Sequence, residues 1–171
     1  MTKRAAQREA TRERIVQAAL EAFAEKGFRG ASTRDIAQRA GANQGLVTYH
    51  FRSKDALWRA AIGLVIGELE KSLVERLDGL AATDPRERSR EAIRAYVRFA
   101  AAHPELFRLM VDEGKNSEAR MKWLVDTHLK PAYERFAQGG DPLGAAIDPA
   151  IAPHAYYVMA GAGSLIFAVA P

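Results

Sequence analysis

The sequence contains no cysteine, which excludes disulfide staples and every zinc site built on thiolates, and suits a reducing compartment. It has no sustained apolar alternation between turn dipeptides, so nothing reads as a half-buried strand. The charged start MTKRAAQREATRER is not followed by an apolar run of the secretory kind, so no signal peptide is expected and the cytoplasm is the default location. Ala155 to Ala170 is an uncharged run of 16 residues, short of a membrane span, and no other segment is apolar enough to accompany it across a bilayer. A buried bundle or dimer helix is expected there, with the small residues of Ala160 to Ser164 allowing another helix to approach closely. No membrane partner is expected. The chain also lacks an HExxH pair and a phosphate-cradling glycine loop, and its adjacent Asp112 and Glu113 point in different directions on a helix, so no enzyme, cofactor or metal is expected.

What is present is a charge asymmetry on an all-α pattern. Residues 1–60 hold 12 Lys and Arg against 6 Asp and Glu, a net of +6, whereas residues 61–171 hold 13 against 15, a net of −2. A basic amino-terminal third on a slightly acidic remainder points to a polyanion as partner of the first part alone. Thr11 is placed to cap a first helix with apolar positions Ile15, Ala19, Ala22 and Phe23, ending at Gly27. Lys3, Arg4 and Arg8 before it read as a solvated, frayed arm, with tracking of a phosphate backbone as the alternative. Ser32 with Asp35 starts a short second helix that stops at Gly41. A third spans about Asn43 to Phe51, and Ser53 caps a fourth reaching about Leu80. Asp84 and Pro85 open a fifth helix to about Ala102, and Pro104 a sixth ending near Gly114. A seventh runs from Ser117 to about Gln138, bent at Pro131. GGDPLGAAIDP reads as loop, and Asp148 with Pro149 precedes the last helix.

Within Thr33 to Phe51 the apolar or small positions are Ile36, Ala37, Ala40, Leu46, Val47 and Phe51, with Gly41 at the break. This is a helix-turn-helix pattern. If Val47 and Phe51 pin the second helix, Gln44, Gly45 and Thr48 face outward. With Asn43 they suit the major groove, where amides and hydroxyls read base edges and a glycine permits close backbone approach. Thr33 and Arg34 on one side, and Tyr49, His50 and Lys54 on the other, fall where phosphates would lie. The plainer roles are packing or capping for Tyr49 and His50, and ordinary surface charge for Lys54.

From Thr11 to Ile62, RIVQAALEAFAEKGF, STRDIAQRAG and LVTYHFRSKDALW resemble the amino-terminal domain of TetR-family transcriptional regulators. The combination at these spacings is far more specific than a lone helix-turn-helix. The resemblance implies a three-helix DNA-binding domain, residues 1–53, before a helical ligand-binding and dimerisation domain, residues 54–171. It also places Gln44, Gly45 and Thr48 at recognition-helix positions, Thr33 and Arg34 at contact positions of the second helix, and Tyr49, His50 and Lys54 at phosphate contacts. Leu46 stands where the family often has a small hydroxyl residue and Thr48 where it often has a tyrosine, so Leu46 either touches a thymine methyl or packs.

Beyond Ile62 the likeness is architectural. Such bodies carry an inducer pocket and pair through carboxy-terminal helices. Tyr96, Phe99, Phe107, Met110, Trp123, Tyr156, Tyr157 and Met159 are candidates to line an apolar cavity, with His103 or His128 as a polar handle. Core packing is the commoner role for any one of them. Asp112, Glu113 and Asp126 would suit a cationic ligand, although solvation on helix surfaces is the commoner role for such acids. The family commonly has one more helix than this chain offers before Pro171, so a final dimerisation helix is expected to be missing. The implied function is a homodimeric repressor, released from a pseudo-palindromic DNA operator by a small apolar or amphipathic inducer. A ligand-independent DNA-binding or architectural protein is the alternative.

Overall fold

The computed structural model describes residues 2–78, 84–116, 118–137, 148 and 150–169, and every regular element among them is helical. The helices are α1 (Lys3–Gly30), α2 (Thr33–Arg39), α3 (Gln44–His50), α4 (Lys54–Asp78), α5 (Pro85–Ala102), α6 (Pro104–Asn116), α7 (Glu118–Leu124), α8 (Lys130–Ala137) and α9 (Ala152–Val169), with a π turn at Val125–Leu129 between α7 and α8. Two compact units form, residues 1–65 and 66–171, and α4 runs through the boundary.

In the first unit α1 begins eight residues before the expected cap. Thr2 caps it, accepting the Ala5 N–H at 3.4 Å. Thr11 lies inside the helix, its buried hydroxyl donating to the Gln7 carbonyl at 2.9 Å. The segment of Ala, Arg, Gln and Glu around it favours helix strongly enough that a threonine in its midst bonds back to the preceding turn and starts nothing. The basic arm is therefore helical, with Lys3, Arg4 and Arg8 exposed, and not frayed. Gly27, at φ 66° and ψ 172°, kinks the helix in a backbone region that is essentially glycine's alone. Beyond the kink the Phe28 ring stacks on Phe23 at 5.8 Å.

Ser32 accepts the Asp35 N–H at 3.0 Å and starts α2 as expected. The Asp35 carboxylate does not return the bond; it pairs with Lys26 at 2.8 Å and Arg39 at 3.3 Å. Gly41, at φ 59°, closes the helix in a paired bond pattern, with its own N–H on the Gln38 carbonyl and that of Ala42 on the Ala37 carbonyl. Ser53 accepts the Ala56 N–H at 3.0 Å and starts α4. Ile15, Ala19, Phe23, Ile36, Val47, Leu57, Trp58 and Ile62 are buried in this unit.

In the second unit Asp84 accepts the Arg86 N–H at 3.1 Å ahead of Pro85, the start expected for α5. Pro131 does more than bend its segment. It has no N–H for the carbonyl four residues back, and the chain widens into the π turn, in which the Lys130 N–H reaches the Val125 carbonyl. Ser117, Gln138 and the expected loop 139–147 lie outside the described residues, as do Leu80 and Pro149. Asp148 accepts the Ala150 N–H at 2.9 Å just before α9.

α9 packs on α5, α6 and α8. The Ala160 carbonyl accepts the Tyr96 hydroxyl at 3.0 Å and the Ser164 hydroxyl at 2.5 Å, and a Cβ on Gly163 would lie 2.7 Å from the Tyr96 ring. The opposite side of α9 exposes Val158, Leu165 and Ile166, with Ile151 just before the helix, so within one chain the helix expected to be a buried bundle or dimer helix is packed on one side only. Among the described residues no helix is long and apolar enough to cross a membrane.

The kink in α1 gives a direct test. Gly27→Ala places a Cβ in a region L residues avoid and should cost about 1–3 kcal/mol, read as a lower midpoint in thermal or urea unfolding. An unchanged midpoint would mean that the kink relaxes without cost.

Candidate nucleic-acid interface

α3 is seven residues long and presents one buried side chain, Val47, which is 2% exposed. That anchor fixes the helix rotation. Gln44, Gly45 and Thr48 are exposed, together with Tyr49, which is 67% exposed, so these face solvent as the spacing predicts. Thr48 donates to the Gln44 carbonyl at 3.2 Å. The Gln44 amide lies 3.5 Å from the Thr33 hydroxyl, bringing the first turns of α2 and α3 together, and Arg34 beside Thr33 is exposed. Asn43 has a structural duty: its side-chain oxygen accepts the Leu46 N–H at 2.9 Å and caps α3. A Cβ on Gly45 would approach that oxygen to 3.2 Å, so glycine here leaves the cap undisturbed while keeping the helix surface low. Leu46 is 37% exposed.

The other end of α3 is built differently. His50 is half-buried and meets the Tyr49 ring edge to face at 5.2 Å. Its burial, and then the positive charges of Arg12 and Arg8, hold its imidazole below the ordinary value, with Glu9 opposing. The Arg12 guanidinium sits 5.5 Å from the Phe51 ring centroid, within cation–π range, and pairs with Glu9 at 3.4 Å. Lys54 is the first residue of α4. Its ammonium lies 4.7 Å from the Phe28 ring centroid and donates to the Arg29 carbonyl at 3.3 Å, at the end of α1. The sequence pattern left Arg12 unnoticed and assigned Arg8 to the basic arm without placing it at this end of α3. Their four-residue spacing ahead of Ile15 was the available signal, obscured by taking Thr11 for a cap.

The acids of the unit lie elsewhere. Arg39 pairs with Glu25 at 2.6 Å, and its bond to Asp35 joins the Lys26 contact in one small network. The hydrogen bond from Lys26, aided by Arg39, holds the Asp35 carboxyl below its usual value. Such exposed pairs contribute only tenths of a kcal/mol each, but they neutralise the acid closest to Arg34.

Residues 15–61 match the family described as bacterial regulatory proteins, tetR family. The HTH-type transcriptional regulator BetI of Pectobacterium carotovorum subsp. carotovorum (strain PC1) is 32% identical over 135 residues, covering 76% of this chain and 62% of the relative. The chain belongs to the TetR family. BetI of Yersinia pestis (strain Pestoides F) is 34% identical over 79 residues, covering 46% of this chain and 40% of the relative, so the chain spans less than two thirds of the length of either curated relative. A TetR-like transcriptional regulator from Rhodococcus sp. RHA1 has the same fold, with a TM-score of 0.71 at 20% identity over 92% of this chain and 82% of that one. Both curated relatives are named as transcriptional regulators.

In the remainder of this TetR-family chain the candidate ligand residues fall into separate groups. Tyr96 meets Phe107 edge to face at 6.1 Å, and Phe99 stacks on His103 at 4.3 Å. The His103 ring also bonds Glu105 at 3.0 Å, so this imidazole is engaged in local structure, and the backbone N–H of His103 ends α5 on the Phe99 carbonyl. Tyr156 packs against Tyr133 and Phe136, while Trp123 meets His128 at 5.3 Å. Met110 and Met159 are half-buried, and Tyr157, 78% exposed, lines no interior. The His128 Nε2 is buried without a hydrogen-bond partner among the described residues, and burial holds this imidazole low. Asp126 is a surface acid paired with Lys122. Glu113 is not: its carboxylate is buried, one oxygen accepting from Arg120 at 2.7 Å and the other without a partner among the described residues.

The Asn43 cap can be removed cleanly. Asn43→Ala should destabilise the chain by about 1 kcal/mol, and Asn43→Asp, which also caps, should restore most of that loss in a denaturant titration. Equal midpoints for all three proteins would show that α3 does not depend on this bond.

Proposed function

We propose that the chain is a sequence-specific DNA-binding transcriptional regulator acting in the cytoplasm, with residues 1–53 reading DNA. The observation that carries this reading is the exposed polar face of α3, held outward by Val47 and joined to α2 through Gly41, in a segment that matches the TetR family. Gln44, Gly45 and Thr48 enter the major groove, with Asn43 at the mouth of the helix. Thr33 and Arg34 meet phosphates on one side, and Tyr49, His50 and Lys54 on the other.

The protein acts as a homodimer on a pseudo-palindromic operator, with half-sites about 34–36 Å apart. The exposed apolar side of α9, with Val158, Leu165 and Ile166, supports pairing of two copies through the second unit. A small apolar or amphipathic ligand, bound in residues 54–171, releases the repressor. The aromatic groups around Tyr96 and Tyr156 and the unpartnered polar atoms of His128 and Glu113 support such a site. α4, common to both units, is the element through which ligand and DNA are coupled.

Selection of bound duplexes from a random DNA pool at about 0.15 M salt tests the core of this reading. An enriched inverted repeat is expected; salt-sensitive binding with no enrichment would replace sequence reading by an architectural role. On the selected duplex, Gln44→Ala should relax one base position in each half-site at about 1–3 kcal/mol, while Arg34→Ala should weaken all sequences alike and reduce the salt slope by about two units, one from each protomer. Uniform loss in both would sink the assignment of the reading face.

His50 adds a pH dependence of known sign. Its value lies below the ordinary one in the free protein, and a nearby phosphate would raise it, so DNA binding takes up a proton. Affinity should rise as pH falls from about 8 to about 6, and His50→Gln should flatten that rise. A pH-independent wild-type affinity would remove His50 from the phosphate contacts.

A further inference from the structure

α1 carries one continuous stripe at alternating spacings of four and three: Arg4, Arg8, Thr11, Ile15, Ala18 and Ala22. Its last four members are buried. The two arginines prolong the core-facing side of the helix by two further turns into solvent. Such a stripe normally stays apolar while there is core to cover. Here it changes from apolar to cationic where the core stops. Arg12, one turn after Arg8, lies against Phe51 at the end of α3, so this end of α1 stands beside the end of the candidate reading helix.

We propose that Arg4 and Arg8, with Arg12, form a second backbone-binding surface beside the carboxy-terminal end of α3, gripping the DNA phosphates that flank each half-site. This deepens the DNA-binding reading and rests on it. Helical geometry is what makes the surface usable: a frayed arm would have to be ordered on binding, whereas a helix capped by Thr2 already holds Arg4 and Arg8 one turn apart. Of the acids on this stretch, Glu9 is paired with Arg12, which offsets its charge, and Glu13 lies about 140° around the helix from Arg8. The positive field reaching His50 from Arg8 and Arg12 is consistent with the same placement.

The test uses the full chain and the doubly substituted Arg4→Ala/Arg8→Ala protein, titrated with a random-sequence duplex and with the selected duplex between about 50 and 200 mM salt. Two lost phosphate contacts in each protomer, four in the bound dimer, should reduce the slope of log affinity against log salt by about 3.6. The wild type should then lose roughly 150-fold more affinity than the variant over that range. The effect should be the same on both duplexes, and Arg4→Lys/Arg8→Lys should retain the wild-type slope. Trimming the selected duplex flush with its half-sites should erase the difference between wild type and alanine variant. An alanine variant with the wild-type slope on DNA that the wild type binds would overturn this proposal alone. A wild type that binds neither duplex would overturn the DNA-binding reading and this proposal with it.

Discussion

The candidate interface depends on the burial of a single side chain, Val47, on a helix too short to exist alone. A seven-residue helix has no stability of its own in water. α3 is held by that anchor, by the Asn43 cap at its start and by the turn at Gly41 that delivers it from α2. Because Val47 is the only buried residue of α3, the rotation of the helix is fixed by one contact region, and every other side chain is assigned to solvent or to the rim by the helical repeat. Ala37 and Ile36 are buried on the facing helix, and the small Ala37 lets the two helices lie close. Gln44 and Thr33 then meet across the gap as a consequence of that closeness.

Electrostatics follow from the same geometry. The acids of α1 and α2 that lie near the turn are joined to Lys26 and Arg39, so their charge is cancelled locally. Arg34 at one end and Arg8 and Arg12 at the other are left flanking α3, and the imidazole between them is kept low by burial and by its cationic neighbours. The result is a short polar helix between two basic shoulders, an arrangement suited to a groove bounded by phosphates. Lys54, at the start of α4, also closes the end of α1 over Phe28.

The second unit is organised around α9, whose two sides have opposite characters. One is tied down by the Ala160 carbonyl, which receives both Tyr96 and Ser164, and by the close approach of the Tyr96 ring to Gly163. The other offers aliphatic side chains to solvent. Among the described residues of this unit, the carboxylate of Glu113 and the Nε2 of His128 stand out because burial without a full set of partners is costly.

The sequence by itself determined the all-helical class, the helix starts at Ser32, Ser53 and Asp84, the turn at Gly41 and the outward face of α3. These are local matters: caps, a positive φ and a 3.6-residue repeat act within a few positions and need no distant partner. Thr11 could not be read from its own side chain, which suits a cap and an interior back-bond equally; the helix propensity of the preceding residues decided between them. The widening before Pro131 was likewise hidden, since a missing N–H predicts a disturbance without saying whether the chain kinks or opens. Only the tertiary structure decided that Lys54 closes α1, that Arg12 rides on Phe51, that Glu113 is buried while Asp126 is not, and that α9 is covered on one side. Each of these depends on contacts between residues distant in the chain, and no periodicity along a single segment records what another segment places against it.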